Sequence, residues 1–160
     1  MSKEKEVKTN AMRMLDRAGI CYEVLTCDCP DFEDGVQVAD LEGVPHELSY
    51  KTLVMRGHSG ACYVYVLPIE KEVDMKAAAA SVREKSVAMI HVKEITDLTG
   101  YVRGGCSPIG MKKKYPTVLD ASALHFPEIY VSGGKIGTSI RISVQDLITA
   151  ADAKTADITA

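Results

Sequence analysis

Apolar residues at Val7, Ala11, Met14, Leu15 and Ala18 recur at helical spacing, and Gly19 stands where a left-handed residue would end the helix. The pattern predicts an amphipathic helix over 4–18. Ile20, Tyr22, Val24 and Thr26 supply the β-branched and aromatic content of a strand over 20–26. The next stretch, 27–35, has no period, contains Pro30 and the adjacent acids Glu33 and Asp34, and reads as a loop. A short helix over 36–41 is closed by Gly43, and Pro45 prevents its continuation. Over 49–55 the side chains alternate, which puts Lys51 on one strand face with Leu53 and Met55. Gly57 to Gly60 turns the chain, and 61–67 returns as the second strand of a hairpin.

Asp74 is placed to cap a helix over 75–82, whose four consecutive alanines favour helix most. A strand is expected over 87–91 and a helix over 92–98. Beyond them come strands over 117–120 and 129–131. Residues 138–142 alternate again, so 129–142 reads as a hairpin with a wide turn through a glycine loop, Ser132-Gly133-Gly134-Lys135-Ile136-Gly137. Ser143 caps a helix over 144–151, and 154–160 carry no strong signal. Helices and hairpins intermix without repeat or linker. The class is α/β or α+β with a mixed sheet, and 1–160 forms one domain.

Composition narrows the chemistry. Hydrophobic residues at 46% and charged residues at 26% are ordinary for a folded domain and argue against disorder. Nineteen basic against 22 acidic residues leave a net charge of −3, which speaks against a broad grip on DNA or RNA and leaves room for a local patch such as Lys112-Lys113-Lys114. Five cysteines, an odd number, and a polar N-terminus suggest reduced thiols in a cytoplasm. No apolar run is long enough to span a membrane.

The densest chemistry lies over 100–114, Gly-Tyr-Val-Arg-Gly-Gly-Cys-Ser-Pro-Ile-Gly-Met-Lys-Lys-Lys. Gly104, Gly105 and Gly110 flank Ser107-Pro108, so the backbone can take a strained path and present bare N–H groups to an anion or a carbonyl oxygen. Together with the second glycine loop this suggests one pocket. Nucleotide motifs do not fit: a P-loop would need Gly where Ile129 stands, and a dinucleotide fingerprint would need a helix where 138–142 alternates. Lys51 opens an apolar strand face, so its ammonium should lie at the rim of whatever that face lines. Cys27-Asp28-Cys29 lacks two further ligands for zinc, and His46, His58, His91 and His125 are scattered; no metal is expected. Cys106 has no histidine nearby in sequence and is expected to pack, and Ser107 is not the centre of a nucleophile elbow. What remains is a glycine-walled polar pocket without a general base.

Three stretches carry a family resemblance: Tyr50-Lys51-Thr52-Leu53; Thr99-Gly100-Tyr101-Val102-x-Gly104-Gly105-x-Ser107-Pro108-x-Gly110; and Ile129-Tyr130-Val131-Ser132-Gly133-Gly134-Lys135. In this order they resemble the YbaK/EbsC-type aminoacyl-tRNA deacylases, relatives of the editing domain of bacterial prolyl-tRNA synthetase. The resemblance runs from the first helix to Asp157-Ile158. It implies a compact mixed sheet, partly barrel-like, with flanking helices, and a trans-editing enzyme that cleaves the ester of mischarged Cys-tRNA(Pro).

The implied partners are the 3′ acceptor end of tRNA(Pro) and prolyl-tRNA synthetase, with no cofactor. The family's lysine falls on Lys51 and its neighbour on Thr52; the glycine-loop contacts fall on Gly104 and Gly105, with Ser107 and Gly110 beyond, and a pocket serine on Ser132 beside Gly133. Cys27, Phe32 and Ser139 are expected to border the amino-acid pocket. Cys27 stands where an aromatic residue is usual, and Ser139 where the best-known subgroup has an acid. In that subgroup the substrate thiol attacks its own ester. The rival readings are a water-mediated deacylase for alanine or another small amino acid, and a non-catalytic module that binds an acceptor end or a synthetase.

Overall fold

The computed structural model describes residues 8–26, 39–40 and 42–160. Helix α1 (Asn10–Ala18) starts where the Thr9 hydroxyl accepts from Met12 N, and it stops at Gly19, whose φ of +72° is the left-handed stop the sequence predicts. The strand that follows is shorter than expected. Ile20 N still bonds Leu15 O, so β1 (Glu23–Thr26) begins later. Of the short helix expected over 36–41, Ala39 and Asp40 are helical, as is Glu42, and Gly43 takes φ +73°.

Strands β2 (Tyr50–Gly57) and β3 (Cys62–Pro68) form the predicted hairpin in register Lys51↔Leu67 and Val54↔Val64. Helix α2 (Met75–Ser81) is capped by Asp74, which accepts from Lys76 N and Ala77 N. Strand β4 (Val87–Met89) leads through a 3-10 turn into α3 (Ile95–Thr99). Then follow β5 (Thr117–Asp120), β6 (Glu128–Lys135), β7 (Thr138–Ser143), α4 (Val144–Ala151) and β8 (Ala153–Ala156).

Two sheets result. One has the order β1-β7-β6, the other β4-β2-β3-β5-β8. The pairs β3–β5 and β5–β8 are parallel and the rest antiparallel, so the sheet is mixed as expected. Among the described residues, one parallel bridge, Ser49↔Tyr130, joins the sheets, so they do not close into a full barrel there.

Two expectations fail. Residues 132–135 are not part of a wide loop: they continue β6 through an irregularity between Ser132 and Lys135, and the turn is only Ile136-Gly137. The C-terminal stretch without signal contains β8, a parallel edge strand held by β5.

Alternation divides the hairpin into two cores. Even-numbered Tyr50, Val54, Val64 and Val66 pack against Ile129, Val131, Ile140 and Ile142 of the smaller sheet and against Leu15 of α1. Odd-numbered Met55, Tyr65 and Leu67 pack with Ala78, Ala79, Val118 and Ile158 under α2. Among the described residues, no helix is long and apolar enough to cross a membrane.

Candidate functional site

Among the described residues, strand β2 lacks a neighbour along part of one edge. Pairing to β4 covers only Met55 to Gly57, extended by Ile90 N donating to Val54 O at 3.4 Å, and among the described residues backbone pairing toward β6 is confined to the bridge at Ser49, just before β2. Between these contacts a window opens. A cavity of about 410 Å³ sits there, within the roughly 300–1,000 Å³ range of small-ligand sites. Because it crosses a strand edge, it touches residues of both faces: Lys51 and Leu53, and Tyr50, Thr52 and Val54. Arg103, Gly104 and Cys106 line a second side, and Ser132, Gly137, Thr138 and Ser139 a third.

The first glycine stretch is pinned from behind. Fully buried Thr99 donates from Oγ1 to Ile95 O at 2.7 Å and accepts from Tyr101 N at 3.0 Å. The Tyr101 hydroxyl donates to Ile109 O at 2.6 Å, and Lys112 N closes the loop onto Thr99 O at 2.8 Å. These bonds hold Gly104 at the cavity wall with φ +85°, a conformation that L side chains rarely adopt.

The glycines divide by task, and four of the expected contact residues lie away from the cavity lining. Gly105 is a packing residue: a Cβ there would come within 2.8 Å of Lys135 Cα and 2.9 Å of Ile136 N, so its bareness lets the two glycine stretches touch. Ser107 is fully buried, and its hydroxyl accepts from Ile109 N at 3.3 Å. Gly110 abuts the start of α1, where a Cβ would lie 2.7 Å from Ala11 N. Gly133 sits over Thr138, and its carbonyl accepts from the Thr9 hydroxyl at 2.6 Å. Among the described residues, none of these four lines the cavity. Lys51, Thr52, Gly104, Ser132 and Ser139 do line it. Cys27 and Phe32 lie outside the described residues.

The electrostatics of the site are asymmetric. Lys51 is partly buried at the cavity, and the ion pairs among the described residues do not include it. Burial pushes the Cys106 thiol up to about 11, so it is neutral near pH 7 and no nucleophile. The Thr52 hydroxyl is buried with no hydrogen-bond partner among the described residues. No histidine or carboxylate lines the cavity among those residues, and none of their acidic, histidine and cysteine side chains gather in threes as a metal site would require.

One group escaped the sequence reading. Glu42 looks like a solvated acid ahead of a terminating glycine, yet burial raises its pKa. Its Oε2 has no partner among the described residues. Nothing local marks it, since burial of a side chain depends on elements distant in the chain.

The comparisons with known proteins bear on the family and the fold. Residues 29–150 match the family model of the aminoacyl-tRNA editing domain. A protein of Enterococcus faecalis named as a candidate Cys-tRNA(Pro)/Cys-tRNA(Cys) deacylase, EbsC, is 38% identical, covering 99% of this chain and 98% of its own length. The crystal structure of a candidate trans-editing enzyme for prolyl-tRNA synthetase superposes with a TM-score of 0.84 at 23% identity, covering 97% of this chain and 99% of that one. A hypothetical protein of known structure superposes with a TM-score of 0.85 at 24% identity, covering 94% and 99%. At such identities the two structures speak for the fold.

Proposed function

We propose, from the premise that this chain belongs to the aminoacyl-tRNA editing domain family, that it is a trans-editing deacylase that clears mischarged Cys-tRNA(Pro). The observation that carries the reading is the cavity itself. It sets one lysine and a positive-φ glycine against small hydroxyl side chains, with no acid or histidine in its described lining to serve as a base.

Such a site works by positioning. Lys51 anchors the acceptor end through a phosphate or sugar oxygen, a charge-assisted contact for which a point cation suffices. The backbone around Gly104 offers fixed N–H donors to the ester carbonyl, where negative charge develops in the transition state. Thr52 and Ser132 add hydroxyls at the walls. The substrate cysteine then supplies the nucleophile. Its sulfur bonds to the carbonyl carbon, the bond from that carbon to the ribose oxygen breaks, and the thiol proton passes to the departing ribose oxygen, so a cyclic thiolactone leaves with uncharged tRNA. Confining thiol and carbonyl in one cavity supplies the effective concentration the step needs. Size alone separates substrates by only about 1–3 kcal/mol per methylene, so participation of the thiol provides the remaining discrimination. Prolyl-tRNA synthetase is the partner that would deliver such a tRNA.

A deacylation panel tests this. Wild type should clear Cys-tRNA(Pro), leave the S-methylcysteinyl ester intact, and lose at least tenfold in rate on Lys51→Ala, the equivalent of about 1.5–3 kcal/mol for one charge-assisted bond. Equal clearance of alanyl and S-methylcysteinyl esters would establish water as the nucleophile. Protection of every charged tRNA without cleavage would replace the enzyme with a binding module.

A further inference from the structure

The cavity has two chemically different ends. Its window runs along the edge of β2 from the bridge at Ser49, just before the strand, to Val54, whose carbonyl Ile90 N reaches. From residue 49 to residue 54 an extended chain rises about 16 Å, at about 3.3 Å per residue. The end at the bridge carries the hydroxyls of Ser132, Thr138 and Ser139. Gly104 belongs to this end, since its neighbour Gly105 packs against Lys135 and Ile136 of the β6–β7 hairpin. At the far end β4, the 3-10 turn and α3 contribute Met89, Ile90, Val92 and Ile95, and among the described residues these elements add no polar side chain to the lining. Met89 and Val92 are 53% and 54% exposed, although both border the cavity. Lys51 and Thr52 stand between the two ends.

An aminoacyl group is one residue long and covers only a fraction of that length. Placed at the hydroxyl end with its carbonyl toward Gly104, and with its ribose at Lys51, it leaves the apolar end for the group on the other side of the same ribose. We infer that this end, formed by Met89, Val92 and Ile95 with Leu53 of β2, holds the nucleobase of the terminal nucleoside. These side chains carry no hydrogen-bond donor, and the Met89 thioether is at most a weak acceptor. They therefore grip the flat face of a base, by apolar contact and by the polarisable sulfur against the ring, and leave its edges unread. Recognition of a face demands a ring and tolerates changes in its substituents. The two exposed side chains are then the part of the wall that the base covers. The inference rests on the deacylase reading for the identity of the ligand, but not on turnover.

The test is a binding measurement by calorimetry with three uncleavable ligands that carry cysteine in amide linkage. The first is built on 3′-amino-3′-deoxyadenosine, the second has unsubstituted purine in place of adenine, and the third has an aminated anhydroribitol with no base. Wild type should bind the first two within about twofold of each other, and the baseless ligand at least about fivefold more weakly. The double variant Met89→Ser with Val92→Ser should reduce that preference for a base to about twofold or less. Met89→Phe, which offers an aromatic face, should keep or increase it. Ser132→Ala, at the other end, should weaken all three ligands alike. Thermal melting checks that each variant is folded; a structural role alone would shift melting without changing the ratio between ligands. Equal binding of the baseless ligand by wild type, binding of none, a strong loss with unsubstituted purine, or an unchanged preference in the folded double variant overturns the proposal. Failure of wild type to cleave any charged tRNA, with the preference for a base intact, would count against the deacylase reading alone.

Discussion

The two faces of the β2–β3 hairpin are buried for different purposes. Under α2, Met55, Tyr65 and Leu67 are closed over by Ala78, Ala79, Val118 and Ile158, and the polar groups at this core are satisfied. The Tyr65 hydroxyl donates to Ala78 O at 2.9 Å, and Asp120 accepts from Ser122 N and Ile158 N. On the cavity side the same strand carries Thr52, whose hydroxyl has no partner among the described residues, and beyond it Glu42 has an equally unpartnered oxygen. A native fold rarely leaves buried polar atoms unpaired. One such hydroxyl at the cavity, set against paired polar groups under the helix among the described residues, teaches that the first region is shaped for a ligand and the second for stability.

The widest separation between the regions is expected from Ile158→Ala. Removing this fully buried side chain should lower the free energy of unfolding by about 2–5 kcal/mol, read by denaturant titration, while deacylation per folded molecule stays at the wild-type value. A loss of activity exceeding the loss of folded protein would erase the distinction.

Thr52→Val tests the other side, with effects of opposite sign on stability and activity. The substitution keeps a β-branched strand residue and removes a hydroxyl that is desolvated without compensation, so stability should rise by on the order of 1 kcal/mol. Deacylation should fall by roughly three- to tenfold, the value of one ordinary hydrogen bond to the substrate. A variant less stable than wild type would mean that the hydroxyl is satisfied after all.

Cys106 gives the smallest effect. Its thiol is held in the uncharged form, shifted by burial from 9.0 to about 11. Above pH 9 the unfolded chain releases this proton while the folded chain retains it, so the contribution of the group to stability is complete below that point and declines as pH rises toward about 11. Cys106→Ala should therefore flatten the alkaline limb of the stability curve, followed by denaturant midpoints from neutral to alkaline pH. An unchanged limb would show that the thiol is more open to water than its place in the wall implies.

Much of the frame was legible because its causes are local. Gly19 and Gly43 end helices, Asp74 and Ser143 cap them, and the hairpin over 50–68 follows from alternation broken by Gly57 and Gly60. The family was legible in the order of its glycine stretches, and its editing-domain model spans most of the chain. The second glycine stretch misled for a physical reason. Gly133 and Gly134 carry the same turn signal in sequence as Gly104, but β7 across from them supplies partners that draw 132–135 into a strand. Strand β8 was missed because its ladder is supplied wholly by β5.

What the sequence determined by itself is whatever a few neighbouring residues decide: caps, stops, strand alternation, and the presence of Lys51 at the head of an apolar strand. Only the tertiary structure decided which bare glycines face the cavity and which serve close packing, that β4 ends early enough to leave a window in the edge of β2 among the described residues, and that an oxygen of Glu42 is buried. Backbone preference acts over a handful of residues, whereas a cavity is the space left by elements distant in the chain. Its walls are therefore assigned only when those elements pack.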